Sequence, residues 1–280
     1  MKNEFNKGLL LTSLGSFWWG FIGVIYFEYV AFIGHVELVV HRCLWTAVML
    51  IITTSIFSKW NLFTQILNDK KKLIGLFISG LLIFINWAVW IYAVASERII
   101  DASFGYFIMP IISVMLGYIF FKEKLNNKRK FSIILVLISI FILIFFNLKS
   151  LPWVGLIVAL SWAFYNLVRK KINVDTDIGL LIESLFIFPF ALFTFYIISK
   201  NGFNDFNFSN IGLSLFLILA GPMTVIPLFL YVRGVELIGL GPTGMVFYIT
   251  PTFQFILGYF YYNEEFSLIK FLSFIIIWIA

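Results

Sequence analysis

Ten apolar runs, beginning near residues 8, 36, 73, 103, 131, 152, 178, 211, 243 and 266, fill the 280-residue chain and leave only short connections between them. A helix needs ~20 mostly apolar residues to cross a bilayer. Such a run must satisfy its backbone hydrogen bonds within itself, because lipid offers no partners. The expected fold class is therefore an all-α polytopic membrane protein with ten transmembrane helices and no room for a soluble domain. Charged residues make up 12% of the chain, about half the ~25% of a soluble domain. That excludes an ordinary soluble enzyme, a disordered chain and a nucleic-acid binder. The first run, residues 8–33, is far longer than the apolar segment of a signal peptide and reads as a retained helix. The last stops at Ala280 after some fifteen residues, the length expected of a truncated helix.

The net charge of +6 is first a statement about topology. With the N-terminus inside, the inner segments carry Lys2, Lys7, Lys59, Lys70 to Lys72, Lys122, Lys124, Lys128 to Lys130, Arg169 to Lys171 and Arg233. The outer segments carry Arg98, Lys149, Lys200 and Lys270, and Arg42 lies inside the second run. Fifteen cations against four predict a cytoplasmic N-terminus. A single cysteine, Cys43, leaves no internal disulfide. With only His35 and His41, a histidine- or cysteine-based metal site is not expected, nor any cofactor.

Two segments share a pattern at an offset of 141 residues. From Pro110 to Glu123 and from Pro251 to Glu264 both read Pro, six residues, Gly-Tyr, one residue, two aromatics, one residue, Glu. The match lays the fourth run over the ninth, so each repeat holds five helices: residues 1–148 and 149–280. A repeat with an odd number of spans enters the membrane from the opposite side the second time, so the halves are inverted, as in many secondary transporters. Glu123 then falls at a cytoplasmic helix end and Glu264 at an external one. Prolines inside lipid-embedded helices mark places where neighbours or water satisfy freed backbone groups. Pro110 and Pro251, near Tyr106, Ser113, Tyr248, Thr250, Thr252 and Gln254, thus predict interrupted helices around a central site. The eighth run, with Pro222, Thr224 and Pro227, reads as broken too.

Ionisable residues within a membrane usually face a cavity or a partner. Glu28 and Arg42 lie fourteen residues apart across the hairpin of the first two runs, with His41 beside Arg42; Arg169 and Glu183 repeat the spacing with signs exchanged. These predict an outer pair, Glu28 with Arg42, and an inner pair, Arg169 with Glu183, bracketing the cavity. Coupling to protons would fall to Glu183, His41 or Glu28. Asn86, Trp87, Trp90, Trp162, Tyr165 and Asn166 lie mid-run, as do Trp18 and Trp19, whereas Trp60 and Trp153 fit interfacial anchors. An aromatic cavity with a few polar anchors would suit aromatic or amphipathic molecules and organic cations.

Taken together, several stretches resemble the RarD-type branch of the EamA drug/metabolite transporters. They include Glu37-Leu-Val-Val-His41-Arg42, Asn86-Trp87, the run from Ala102 to Pro110, and Phe164-Tyr165-Asn166-Leu167-Val168-Arg169-Lys170-Lys171. Further on come Gly179 to Glu183, Ala220-Gly221 with Thr224 and Pro227-Leu228, Tyr248 to Thr252, and Ile277-Trp278. The family pattern has Lys where Glu28 stands, Asn where Met109 stands and Gln where Phe247 stands. The first departure weakens the outer charge pair as a shared mechanism, and the others change the polarity beside the two prolines. The resemblance implies a bacterial inner-membrane permease that exports or exchanges small metabolites or drugs.

The resulting expectation is a secondary transporter, not an enzyme, whose partners are a small-molecule substrate and the lipid bilayer, with the oligomeric state left between monomer and homodimer. A passive channel, an assembly factor or a membrane-embedded enzyme is the alternative. The enzyme would want clustered carboxylates, histidines or a metal motif at one surface, and the sequence has none.

Overall fold

A computed structural model describes residues 2–96, 99–124, 127–147, 153–261 and 268–279. Among these residues every regular element is helical and no strand occurs. The first apolar run forms α1 (Lys2–Phe17), a π-helical turn (Trp18–Ile22) and α2 (Gly23–Tyr29) in unbroken succession. Then follow α3 (His35–Ile56), the short α4 (Trp60–Leu67), α5 (Lys70–Ala95), α6 (Ile99–Phe121) and α7 (Asn127–Asn147). The later part contains α8 (Trp153–Ile172), α9 (Thr176–Lys200), α10 (Ile211–Ile218), α11 (Ala220–Ile238), α12 (Leu240–Val246), α13 (Ile249–Phe260) and α14 (Leu268–Ile279). Asn3–Tyr29, His35–Ile56, Lys70–Ala95, Thr176–Lys200 and Phe208–Ile238 are, among the described residues, five stretches long and apolar enough to cross a membrane. Gly105–Phe121 and Lys130–Ile142 are shorter apolar helices. The chain is thus an all-helical, multi-pass membrane protein.

Local chemistry explains the joints. Asp69 caps α5 by accepting from the backbone N–H groups of Lys71 and Lys72. Gly239, at φ 88°, turns the chain between α11 and α12 through a region that other residues rarely enter. The two prolines of the repeat behave differently, contrary to the expectation of matching interruptions. Pro110 lies inside a continuous α6, whereas the segment around Pro251 is split into α12 and α13. A proline at 251 cannot donate to the Phe247 carbonyl. That carbonyl instead accepts from the Thr250 N–H at 2.9 Å, a tighter closure that marks the break. The eighth run is divided as expected, between α10 and α11 at Leu219; Pro222 sits in the first turn of α11, where its missing N–H costs little, and Pro227 lies inside the helix.

The early and late helices interleave. α1 packs on α11, α5 and α6 on α8, α3 on α9 and α11, α12 on α6, and α14 on α7. One core joins Phe27, Ile83, Trp87 and Ile91 to Val158, Trp162, Leu181 and Tyr231. Lipid provides no hydrophobic drive between helices, so contact depends on close packing of small residues. One such place is α6 against α8, where Gly105 meets the backbone of Gly155. Phe190, Phe193, Phe208 and Ile134 point outward, as lipid-facing side chains do.

Candidate functional site

The π-helical turn in the first run carries Trp19, one of the residues at the site. One extra residue per turn swings Trp19 inward, and its ring meets Trp162 of α8 edge-on at 4.9 Å. Trp162 in turn lies 5.4 Å from Tyr165, 5.4 Å from Tyr231 of α11 and 6.2 Å from Phe247. Phe247, at the break between α12 and α13, approaches Tyr231 at 5.2 Å and Tyr106 of α6 at 5.5 Å. Below this cluster α5 contributes Asn86, Trp87 and Trp90, while α13 contributes Gln254. These α5 and α13 side chains, with Trp19, Trp162, Phe247, Tyr106, Phe27 and Arg42, surround a cavity between the helices, while Tyr165 and Tyr231 stand behind its wall. It is narrow, with about 20 Å³ open to water centres, the room of roughly one water molecule.

Polar groups are anchored around it. The Asn86 side-chain N–H donates to the Val158 carbonyl at 3.0 Å and to Ser161 Oγ at 3.1 Å, tying α5 to α8. Arg42 is buried, donates from Nε to Thr224 Oγ1 at 3.1 Å, and lies over the rings of Phe27 and Trp87 at 4.8 Å each and of Trp90 at 5.6 Å. Among the described residues Arg42 Nη1 and Gln254 Oε1 have no hydrogen-bond partner.

Of the residues singled out in the sequence, Asn86, Trp87, Trp90, Tyr106, Trp162, Gln254 and Arg42 meet at this cavity. Tyr165 stands behind Trp162 and hydrogen-bonds Glu183 at 3.2 Å. Pro110 and Pro251 are buried within their helices and do not line the cavity. Tyr248 faces away from it, donating to the Phe107 carbonyl at 3.3 Å and stacking on the Phe107 ring.

The expected outer charge pair does not form. No ion pair joins Glu28 to Arg42 among the described residues. The reason is azimuthal: Phe27 is the residue of α2 that faces Arg42, and the next residue on a helix points ~100° away. His41 is also remote from the cavity lining. Its Nδ1 accepts from Trp45 Nε1 at 3.2 Å, which leaves Nε2 to donate to Glu37 Oε1 at 3.3 Å. Glu37 accepts as well from the backbone of Asp205 at 2.8 Å and of Phe206 at 3.3 Å, so this network holds the segment after α9 to α3.

The other two charges do meet. Arg169 Nε lies 3.6 Å from Glu183 Oε1, with both side chains 2% exposed. Glu183 also accepts from Ser79 Oγ and Tyr165, and Arg169 Nη2 donates to the Thr176 carbonyl at 3.2 Å. Nearby, Glu123 gathers three helix ends. It accepts from the backbone N–H of Leu240 at 3.0 Å and Gly241 at 2.8 Å and pairs with Lys170 at 3.0 Å. Its counterpart in the sequence pattern, Glu264, lies outside the described residues, as do Arg98 and Lys149. Lys59 reaches across to Asp175 at 3.3 Å and to Asp177. Among the described residues no group of three or more His, Cys, Asp or Glu side chains is placed to hold a metal ion.

Phe27, at the cavity, and Tyr231, packed on Trp162 and Phe247, were not singled out in the sequence, and Phe247 was noted there only as a departure from the family pattern. A usable signal for two of them was the repeat: Trp90 and Tyr231 are 141 residues apart, as are Tyr106 and Phe247. Positions at that offset even touch, Tyr106 with Phe247 and Phe107 with Tyr248.

Comparison with known proteins extends along nearly the whole chain. The EamA-like transporter family matches residues 6–145 and 150–280. The chain is 32% identical over 274 residues to the protein named RarD of Escherichia coli (strain K12), covering 98% of this chain and 92% of the relative. It is 33% identical over 280 residues to an uncharacterized transporter, YojE, of Bacillus subtilis (strain 168), covering 99% and 93%. An uncharacterized transporter of Vibrio cholerae is 31% identical over 280 residues, covering 100% and 92%.

Proposed function

We propose that this chain, which belongs to the EamA-like transporter family, is a secondary carrier that moves a small metabolite or drug-like molecule by alternating access around the central aromatic cavity. Membership makes it a membrane transporter of the drug/metabolite superfamily. On our reading, its helical stretches form ten spans in two inverted halves, residues 1–148 and 149–280, with the N-terminus cytoplasmic in a bacterial inner membrane. Flux runs outward or by exchange.

One observation carries this reading: a narrow cavity enclosed by side chains from both halves, at a place where residues 141 positions apart touch. Corresponding positions of a twofold repeat contact one another only where the axis passes between them. An axis there puts the cavity at the pivot between the halves, where transporters of inverted-repeat design hold their substrates.

Counterflow in proteoliposomes tests the proposal. Substrate loaded inside should accelerate entry of labelled substrate. Flux without trans-stimulation would favour a passive channel, and chemical turnover without flux would favour an enzyme.

The Glu123 cluster gives the reading a moving part. It ties the end of α6 and the end of α8 to the start of α12, at the end the charge bias assigns to the cytoplasm. A carboxylate on free N–H groups at a helix start is worth ~0.5–2 kcal/mol. Glu123→Ala should therefore raise amide exchange at Leu240 and Gly241 by roughly 3- to 30-fold. Hydrogen-exchange mass spectrometry of peptides spanning 236–246 reads this, and unchanged exchange there would remove Glu123 as a latch.

A further inference from the structure

We infer that the molecule taken up by the central cavity carries an anionic group, a carboxylate or comparable small oxyanion on an apolar or aromatic body, which pairs with Arg42. This rests on the carrier reading only in taking the cavity as the transport site.

The argument begins with an imbalance of charge. Burying a cation carries a penalty of several kcal/mol unless a counter-charge lies nearby. Arg169, equally buried, has Glu183. Arg42 is 4% exposed and faces the cavity, yet no carboxylate pairs with it among the described residues. Among the described residues its hydrogen bond to a side chain goes to a neutral hydroxyl, Thr224, and its Nη1 has no acceptor; Arg169 also leaves Nε and Nη1 without acceptors, but it has a carboxylate beside it. The aromatic rings around it supply part of what is missing, since a desolvated cation–π contact is worth about 2 kcal/mol. They supply no hydrogen-bond acceptor, and a guanidinium offers a planar fork suited to two oxygens.

The same rings argue against a cationic substrate. The faces of Phe27, Trp87 and Trp90 that would attract an organic cation are already turned to Arg42 at 4.8, 4.8 and 5.6 Å. A second cation would meet a like charge in a medium that screens it poorly. One further unpartnered atom stands at the wall among the described residues: Gln254 Oε1, an acceptor for a substrate hydroxyl or N–H. The remaining wall is aromatic carbon, which fits an apolar body. The present cavity admits about one water, so the body enters by displacing rings rather than by filling a void.

Three probes of nearly one shape separate the charge states: phenylacetate, phenylacetamide and phenethylammonium. Each is titrated into the full-length protein in nanodiscs, reading intrinsic tryptophan fluorescence and the unfolding midpoint. Sodium chloride serves as an inorganic-anion arm. Phenylacetate is expected to bind at least ten-fold tighter than the other two. Arg42→Gln should weaken phenylacetate by roughly 10- to 100-fold, the loss of one charge-assisted buried bond, while Arg42→Lys keeps part of it. Arg42→Gln removes a buried charge, so its unbound unfolding midpoint should be no lower than that of the parent. If Arg42→Gln does not fold, the Arg42→Lys titration and the probe ranking decide the matter.

Equal or tighter binding of the amide or the ammonium overturns the inference. So do unaltered phenylacetate binding in Arg42→Gln, absence of phenylacetate binding at millimolar concentrations, or chloride acting as well as phenylacetate. The carrier reading fails separately. Phenylacetate binding without counterflow of any solute removes the carrier and leaves the anion site, whereas counterflow of an organic cation through the cavity keeps the carrier and removes the anion site.

Discussion

Arg169→Met is expected to destabilise the folded protein by about 3–5 kcal/mol, among the largest effects of any single substitution in this chain. The side chain it removes faces Glu183 at 3.6 Å, and both groups are sealed from water and from lipid by α5, α8 and α9. What remains after the substitution is a carboxylate with Ser79 and Tyr165 as donors and no cation. Two neutral donors do not replace a guanidinium in a medium of low dielectric. The double substitution Arg169→Met/Glu183→Leu removes both charges at similar volume and should recover most of the loss, because a buried pair and a well-packed apolar pair are often close in stability. Equilibrium unfolding of parent, both singles and the double closes a cycle whose coupling should exceed about 2 kcal/mol. A coupling near zero would show that the two groups do not act as a pair.

The second large effect concerns backbone contact rather than charge. Gly105→Leu should prevent α6 from docking on α8. Even the first added carbon, Cβ, would sit 2.1 Å from the Gly155 carbonyl oxygen and 2.8 Å from its carbonyl carbon. Backbone atoms cannot yield as a flexible side chain can, so α6 and α8 must separate along the line that carries Tyr106 on one side and Trp162 on the other. Overpacking ordinarily costs 1–3 kcal/mol. Gly105→Ala is expected at about 3 kcal/mol and Gly105→Leu beyond it, with little folded protein recovered by size exclusion. Gly212→Ala provides the control. Its Cβ would meet only Asn210 Oδ1 at 3.7 Å on an exposed helix start, and the change should be neutral or favourable by up to ~1 kcal/mol. Similar behaviour of Gly105→Ala and Gly212→Ala would overturn the assignment of Gly105 to a close contact.

What could be read in the residues beforehand follows physical lines. The helical, membrane-embedded class was legible because spacing and apolarity suffice for it. Asn86, Trp87 and Trp162 were legible because polar or amphipathic groups in mid-membrane need a partner, and Asn86 has two. The pairing of Arg169 with Glu183 was legible from depth and spacing alone, since α8 and α9 are joined by a tight turn. The same reasoning misplaced Arg42. Depth puts Glu28 and Arg42 on one level, but contact also depends on rotation about the helix axis, and a π-helical turn upstream alters that rotation. Tyr231 was hidden for a different reason. With 35 Phe and 12 Tyr in the chain, a single aromatic residue carries almost no positional information, and only its 141-residue offset from Trp90 distinguishes Tyr231. The unequal treatment of Pro110 and Pro251 was not legible, because whether a proline bends or divides a helix is decided by which neighbour donates to the freed carbonyl.

The narrowness of the cavity has an electrical consequence. Dissolved salt weakens attraction between charges only where ions can gather, over a Debye length of ~8 Å at physiological ionic strength. A chamber that holds about one water admits no such cloud. The field of Arg42 inside it is therefore set by the protein and not by the bath. A surface cluster such as Lys59 with Asp175 should weaken steadily as salt is added, whereas the pull on a charge already within the chamber should remain nearly constant from dilute buffer to brine.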